Sequence, residues 1–170
     1  PAPIDEIGYG NVQFGYDSDQ PILQGVHLTA RGGTITAIVG DTGSGKSTLM
    51  SLLLRLYDPD SGTVSINGTD LKDIRIASLR HNVAIALQQN VLFAATVRNN
   101  IAYAADGVTE ADIHAAARIA CADDFIEELP KGYDTELGER GGRLSAGQRQ
   151  RITIARAIVR DTPILILDEP

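Results

Sequence analysis

One nine-residue stretch, Gly40-Asp41-Thr42-Gly43-Ser44-Gly45-Lys46-Ser47-Thr48, restricts what this chain can fold into more than any other. Two glycines with four residues between them, followed by Lys and a hydroxyl residue, form the pattern of a phosphate-binding P-loop. The flanks agree with it. Thr34-Ile35-Thr36-Ala37-Ile38-Val39 is β-branched and largely apolar, which predicts a buried strand. Leu49-Met50-Ser51-Leu52-Leu53-Leu54-Arg55-Leu56 is Leu-rich and predicts a helix. Gly40, Gly43 and Gly45 let the backbone approach a phosphate without a Cβ in the way. Backbone N–H groups of the loop and the helix start then face the anion. Lys46 is expected to reach the β- and γ-phosphates, and Ser47 to hold Mg²⁺.

The rest of the chain alternates strand and helix signals. Asn11 to Tyr16 and Ile22 to Thr29 read as strands before the loop. After it, Asp58-Pro59-Asp60-Ser61-Gly62 breaks the helix, Thr63 to Ile66 is a strand, and Asn67-Gly68 is a hairpin turn. Ile74 to His81 predicts a short helix, and Val83 to Leu87 a buried strand followed by Gln88-Gln89-Asn90. Residues 96–129 read as helical, with Thr109-Glu110-Ala111-Asp112 in capping-box form. A glycine-rich loop follows, then a helix capped by Ser145 and running to about Arg160. Pro163 breaks it before Ile164-Leu165-Ile166-Leu167, an apolar strand ending in Asp168-Glu169. Strands at 34–39, 83–87 and 164–167 thus carry loops at their C-terminal ends, where open α/β sheets place ligands. Asp168 is expected in the Mg²⁺ shell, and Glu169 to orient or deprotonate the attacking water.

With 170 residues the chain can bury a real core. A net charge of −7 argues against a nucleic-acid surface, but not against nucleotide binding, which needs only local N–H groups and one Lys. The single cysteine, Cys121, forms no internal disulfide and suits a cytosolic setting; its Ala-rich surroundings predict a small core residue. No apolar run reaches the length of a membrane-crossing helix.

Leu144-Ser145-Ala146-Gly147-Gln148 resembles the Leu-Ser-Gly-Gly-Gln signature of the nucleotide-binding domains of ATP-binding cassette (ABC) transporters, with Ala146 the one departure. The resemblance covers essentially the whole chain. Tyr16 sits where the family has an aromatic residue that stacks on adenine, and Gln88 matches the family's Q-loop glutamine, a Mg²⁺ and water ligand. Leu92 to Ile101 looks like the segment after the Q-loop in exporters, and Thr135-Glu136-Leu137-Gly138-Glu139-Arg140-Gly141 looks like the exporter X-loop.

This resemblance implies an α/β fold: a P-loop NTPase (RecA-like) core with an antiparallel β subdomain and an inserted α-helical subdomain. The β subdomain and P-loop core are expected over 1–89, the helical subdomain with X-loop and signature over 90–149, and the return to the core over 150–170. The implied ligands are ATP and Mg²⁺. Gly40, Thr42, Gly43, Ser44, Gly45, Lys46, Ser47 and Thr48 hold the phosphates, while Ser47, Gln88 and Asp168 serve the metal. Glu169 and Gln88 are the catalytic candidates. Ser145, Gly147 and Gln148 act on the nucleotide of an opposite subunit. The implied partners are a second such domain, head to tail, and an exporter's transmembrane domain, at the cytoplasmic face of a membrane. Other classes fitting the same core are a soluble cassette ATPase of repair or translation, against which the X-loop speaks, and a catalytically silent fragment. The family's D-loop and switch histidine have no counterpart in the sequence, since His27, His81 and His114 all precede the last strand. The resemblance therefore implies a domain cut after its acidic pair, weak in ATP turnover on its own.

Overall fold

The structure, a computed structural model, describes residues 3–17, 19–87, 90–138 and 144–168. The chain divides into two compact units, with the boundary between Val83 and Ala84.

The first unit is built on a four-stranded sheet in the order β2-β1-β3-β4, from β1 (Glu6–Phe14), β2 (Leu23–Arg31), β3 (Ser61–Ile66) and β4 (Thr69–Asp70). Every pairing is antiparallel. The β3–β4 hairpin turns on Asn67 (φ 50°) and Gly68 (φ 77°), both left-handed, as the Asn-Gly pair predicts. β1 carries a bulge at Asn11 (φ 50°), where its register shifts against both neighbours. The extra residue moves the buried positions from Tyr9 to Val12 and Phe14, so one strand keeps its apolar side inward along its length. Helix α1 (Lys46–Leu53) buries Leu49, Leu52 and Leu53. The Tyr9 hydroxyl donates to Leu49 O at 2.9 Å, tying α1 to β1. Burial holds that phenol's pKa well above its usual range, so it remains a donor. Helix α2 (Ile76–His81) places Arg80 so that its guanidinium caps α1, donating to Leu54 O (3.0 Å) and Arg55 O (2.9 Å).

Strand β5 (Val83–Ala86), which starts at the unit boundary, pairs with β6 (Ile164–Leu167). Four helices enclose the main core of the second unit: α3 (Val97–Ile101), α4 (Glu110–Ile119), α5 (Asp123–Glu127) and α6 (Ala146–Ile158). Val97, Ile101, Ile113, Ala117, Ile126, Ile152 and Ala155 form its centre. The alanines of α4 keep that helix close to its neighbours. The predicted capping box at α4 is present, and the Ser145 cap of α6 is a capping box as well. At α4 the Thr109 hydroxyl accepts from Asp112 N, and Asp112 accepts from Thr109 N at 2.9 Å. At α6 Ser145 and Gln148 do the same.

Residues 96–129 are helical as expected, in the three segments α3, α4 and α5. Two expectations need correction. Residues 34–39 are not a strand: no described strand pairs with them, and Ile35 and Val39 are 100% and 88% exposed. β-branched composition favours an extended backbone, but a strand exists only when a neighbour takes its hydrogen bonds. Cys121 is exposed, not a core residue. It follows α4 with φ 53°; Cys121 N donates to Arg118 O (3.0 Å) and Ala122 N to Ala117 O (2.8 Å). That is a Schellman ending with Cys in the place glycine usually takes, which turns its side chain outward while Ala122 goes into the core.

Candidate functional site

The P-loop leads into α1 through two left-handed glycines, Gly43 (φ 84°) and Gly45 (φ 94°). Gly45 is doubly constrained, because a Cβ there would lie 2.7 Å from Leu23 Cδ2. At Gly40 a Cβ would lie 2.7 Å from Ser44 Oγ, so a side chain there would have to turn the Ser44 hydroxyl away. Ser44 N donates to Asp41 O at 3.1 Å, which closes the turn. Asp41, Thr42, Gly43 and Ser44 are exposed. Lys46 folds back over the loop, its Nζ donating to Gly40 O (2.8 Å) and Asp41 O (3.0 Å). Ser47 is exposed on the first turn, whereas Thr48 faces inward and is buried.

The start of α1 has neither a side-chain cap nor an acidic residue in its first turn. Most helices satisfy their first N–H groups with such a residue. Here the positive end of the helix dipole stands beside an ammonium group with no carboxylate in the turn to offset either. This donor set suits an anion.

Tyr16 lies just beyond β1 with 54% of its surface exposed, and its hydroxyl oxygen is 3.4 Å from Thr48 Oγ1. The structure thus brings the expected base-stacking residue and the phosphate loop together within the first unit. Sequence reading did not single out Tyr57, which stands against Tyr16 with ring centroids 5.1 Å apart. An aromatic residue directly before the breaker that ends the P-loop helix was the available signal.

The second unit carries the remaining described candidates. Asp168 follows β6, and its N donates to Ala86 O at 3.0 Å, so the strand pairing extends to the acidic residue. At α6 Ser145 Oγ accepts from Gln148 N (3.2 Å), and Gln148 Oε1 accepts from Ser145 N (2.9 Å). The first turn of α6 holds no acidic residue, and a Cβ on Gly147 would meet nothing within 4 Å. The backbone there is open to close approach from outside. Gln88 and Glu169 lie outside the described residues, as do X-loop positions 139–141. The described part of that loop pairs with the segment after residue 90: Val97 N donates to Thr135 O (3.0 Å) and Leu137 N to Ala95 O (3.1 Å). Two stretches that look exporter-like in sequence therefore form one local unit.

A polar network missed in the sequence holds that segment to α6. Asn100 is fully buried; its Oδ1 accepts from Phe93 N (2.9 Å) and Arg156 Nη2 (2.8 Å), and its Nδ2 donates to Phe93 O and Thr96 O, each at 3.0 Å. Arg156 also donates to Asn100 O (2.7 Å) and Val91 O (2.9 Å) and lies over the Phe93 ring. Thr153, one turn earlier on α6, donates to Asn90 Oδ1 at 2.7 Å. Among the described residues no group of three or more His, Cys, Asp or Glu side chains could cage a metal. No described helix is long and apolar enough to cross a membrane.

A glycine loop opening an uncapped helix, with an invading Lys and an adjacent exposed aromatic ring, defines a P-loop nucleotide-binding domain. Comparison with known proteins carries this further. The profile of the family described as "ABC transporter" matches residues 23–170, and this chain belongs to that family of ATPases. It is 50% identical over 169 residues to an "ATP-dependent lipid A-core flippase" of Syntrophus aciditrophicus, covering 99% of this chain and 28% of the relative. It is 48% identical to an "ATM1-type heavy metal exporter" of Novosphingobium aromaticivorans, covering 96% of this chain and 27% of that protein. Among solved structures it matches a bacterial Atm1-family ABC exporter with ATP bound, at TM-score 0.92 and 47% identity over 98% of this chain and 29% of the other. The chain therefore spans under a third of the length of these relatives. The expected fold, an ABC nucleotide-binding domain, stands, and with it the capacity to bind ATP.

Proposed function

We propose that this chain is the ATP-binding and ATP-hydrolysing domain of an exporter, closing head to tail on a second such domain and driving an attached transmembrane part at the cytoplasmic face of a membrane. The observation that carries the reading is the uncapped start of α1 beside Lys46, in a chain whose relatives are exporters. Lys46 neutralises the β- and γ-phosphates, and the amides from Gly43 to Thr48 receive their oxygens. Tyr16 stacks on the base. The exposed Ser47 hydroxyl suits Mg²⁺, an ion held by one or two protein oxygens plus phosphate rather than by a cage of side chains. Asp168 and Gln88 complete its set, and the ion, when bound, offsets charge that develops on the phosphates. Glu169 takes a proton from the attacking water. The open backbone at Gly147, with Ser145 at the helix start, presents donors to the γ-phosphate on the facing subunit, and Gln148 holds that helix start in shape.

Two results are expected. Tyr16→Ala weakens ATP binding by about 1–3 kcal/mol, the range for base–aromatic stacking, and Tyr16→Phe changes it little. The 3.4 Å hydroxyl contact to Thr48 is a long one, so its loss costs less than loss of the ring. Equal losses in a calorimetric titration would assign the effect to the hydroxyl. Glu169→Gln, in this domain joined to an exporter's transmembrane part, slows hydrolysis about a hundredfold, because an amide cannot serve as base. Binding is retained, and ATP-bound dimers accumulate. Light scattering that shows only monomers of the variant domain at saturating Mg-ATP would contradict the head-to-tail sandwich.

A further inference from the structure

A half-exposed ring recognises a base well only if its tilt is set before the base arrives, since ordering it afterwards costs affinity. Tyr16 is set by two near-perpendicular aromatic contacts. Phe14 lies 5.1 Å away at 84°, and Tyr57 5.1 Å away at 81°. A Phe14–Tyr57 contact at 5.6 Å closes the triangle. Phe14 is buried and belongs to the sheet core, so it cannot adjust to Tyr16 alone. Tyr57 is different. It is 49% exposed, on the loop that leaves α1, and Phe14 and Tyr16 are its ring partners in this triangle.

That loop also holds the backbone leading to Tyr16. Asp60 N donates to Gln13 O (2.9 Å), and Gly15 N donates to Asp60 Oδ2 (3.0 Å). Gly15 admits no side chain, because a Cβ there would lie 2.6 Å from Gln20 O and 2.7 Å from Asp17 O. The backbone before Tyr16 and the edge of its ring are thus fixed by one loop, and that loop continues directly from the P-loop helix.

We propose that Tyr57 is a positioning residue for purine recognition: through its edge contact it sets the tilt of Tyr16, so that the ring meets the base of a nucleotide whose phosphates sit on the P-loop. The proposal rests on the reading that Tyr16 stacks on the base. It separates base affinity from phosphate affinity, which a purely structural role does not.

The test is calorimetric titration of the 170-residue chain with Mg-ATP and with Mg-tripolyphosphate, which lacks the base. Tyr57→Leu is expected to weaken ATP about three- to tenfold, the cost of ordering one side chain on binding, and to leave tripolyphosphate unchanged. Tyr57→Phe restores the ATP affinity, and on a Tyr16→Ala background Tyr57→Leu causes no further loss. If Tyr16→Ala weakens ATP but Tyr57→Leu does not, base stacking stands and the positioning role is overturned. Equal losses for ATP and tripolyphosphate with Tyr57→Leu also overturn it, because Tyr57 then acts through the loop's fold. If neither variant affects ATP, the stacking reading fails and takes the proposal with it.

Discussion

Lys46→Ala is expected to lower the affinity for Mg-ATP about a thousandfold. A unit charge about 4 Å from a phosphate charge, at the dielectric typical of a protein surface, contributes about 4 kcal/mol. That corresponds to roughly three powers of ten in the dissociation constant. Lys46 is the one cation of the loop sequence, and its Nζ is already held at the loop by Gly40 O and Asp41 O. Its loss is therefore a loss of charge at a prearranged place. Lys46→Arg should recover only part of the affinity, since a planar guanidinium does not fit a site arranged around a compact ammonium. Equilibrium titration with labelled ATP checks both variants, and an alanine variant that binds like the parent contradicts the phosphate-site assignment.

The second large effect is on stability. Asn100→Leu is expected to cost about 2–4 kcal/mol, because one substitution strands the buried Phe93 N–H and takes one of their partners from Phe93 O, Thr96 O and a guanidinium, the two carbonyls keeping Ala95 N and Asn100 N. Leu has the same branching and number of side-chain heavy atoms as Asn, so the substitution leaves no cavity. Phe93 N, Phe93 O, Thr96 O and Arg156 Nη2 each lose a partner. Arg156 is half-buried, and that burial lowers its pKa from the free value. Urea denaturation followed by circular dichroism gives the difference, and a shift below about 1 kcal/mol would mean that the network is not a unit.

What the sequence makes legible here is local. A helix cap acts within one turn, so the Thr109–Asp112 capping box and the Ser145 cap can be read directly and are found. The P-loop, the Asn67-Gly68 turn and the resemblance at Leu144–Gln148 are local in the same sense. What depends on distant partners is not legible. The composition of residues 34–39 states a preference, but pairing is a property of a neighbouring strand, and no described strand supplies it. Cys121 has no glycine to announce a left-handed helix ending. Asn100 reads as an ordinary polar residue until the fold brings Arg156 to it from 56 positions away. Tyr57, between the Leu-rich helix signal and the breaker at Asp58, carries no reading of its own until β1 delivers Phe14 and Tyr16 beside it. In the site itself, the anion-binding half was readable because one loop and one helix start make it. The Tyr16 support was not, because it joins residues from two ends of the first unit.

The central claim is that the start of α1 and Lys46 form a nucleotide site, and thermal unfolding with and without Mg-ATP tests it most directly. A ligand that binds only the folded state at a hundred times its dissociation constant adds about 2.7 kcal/mol. For a chain of this size that raises Tm by about 5–10 °C. The account predicts this rise for the parent chain and its absence in Lys46→Ala. A Tm that does not move with Mg-ATP, or that rises equally in both proteins, would contradict it.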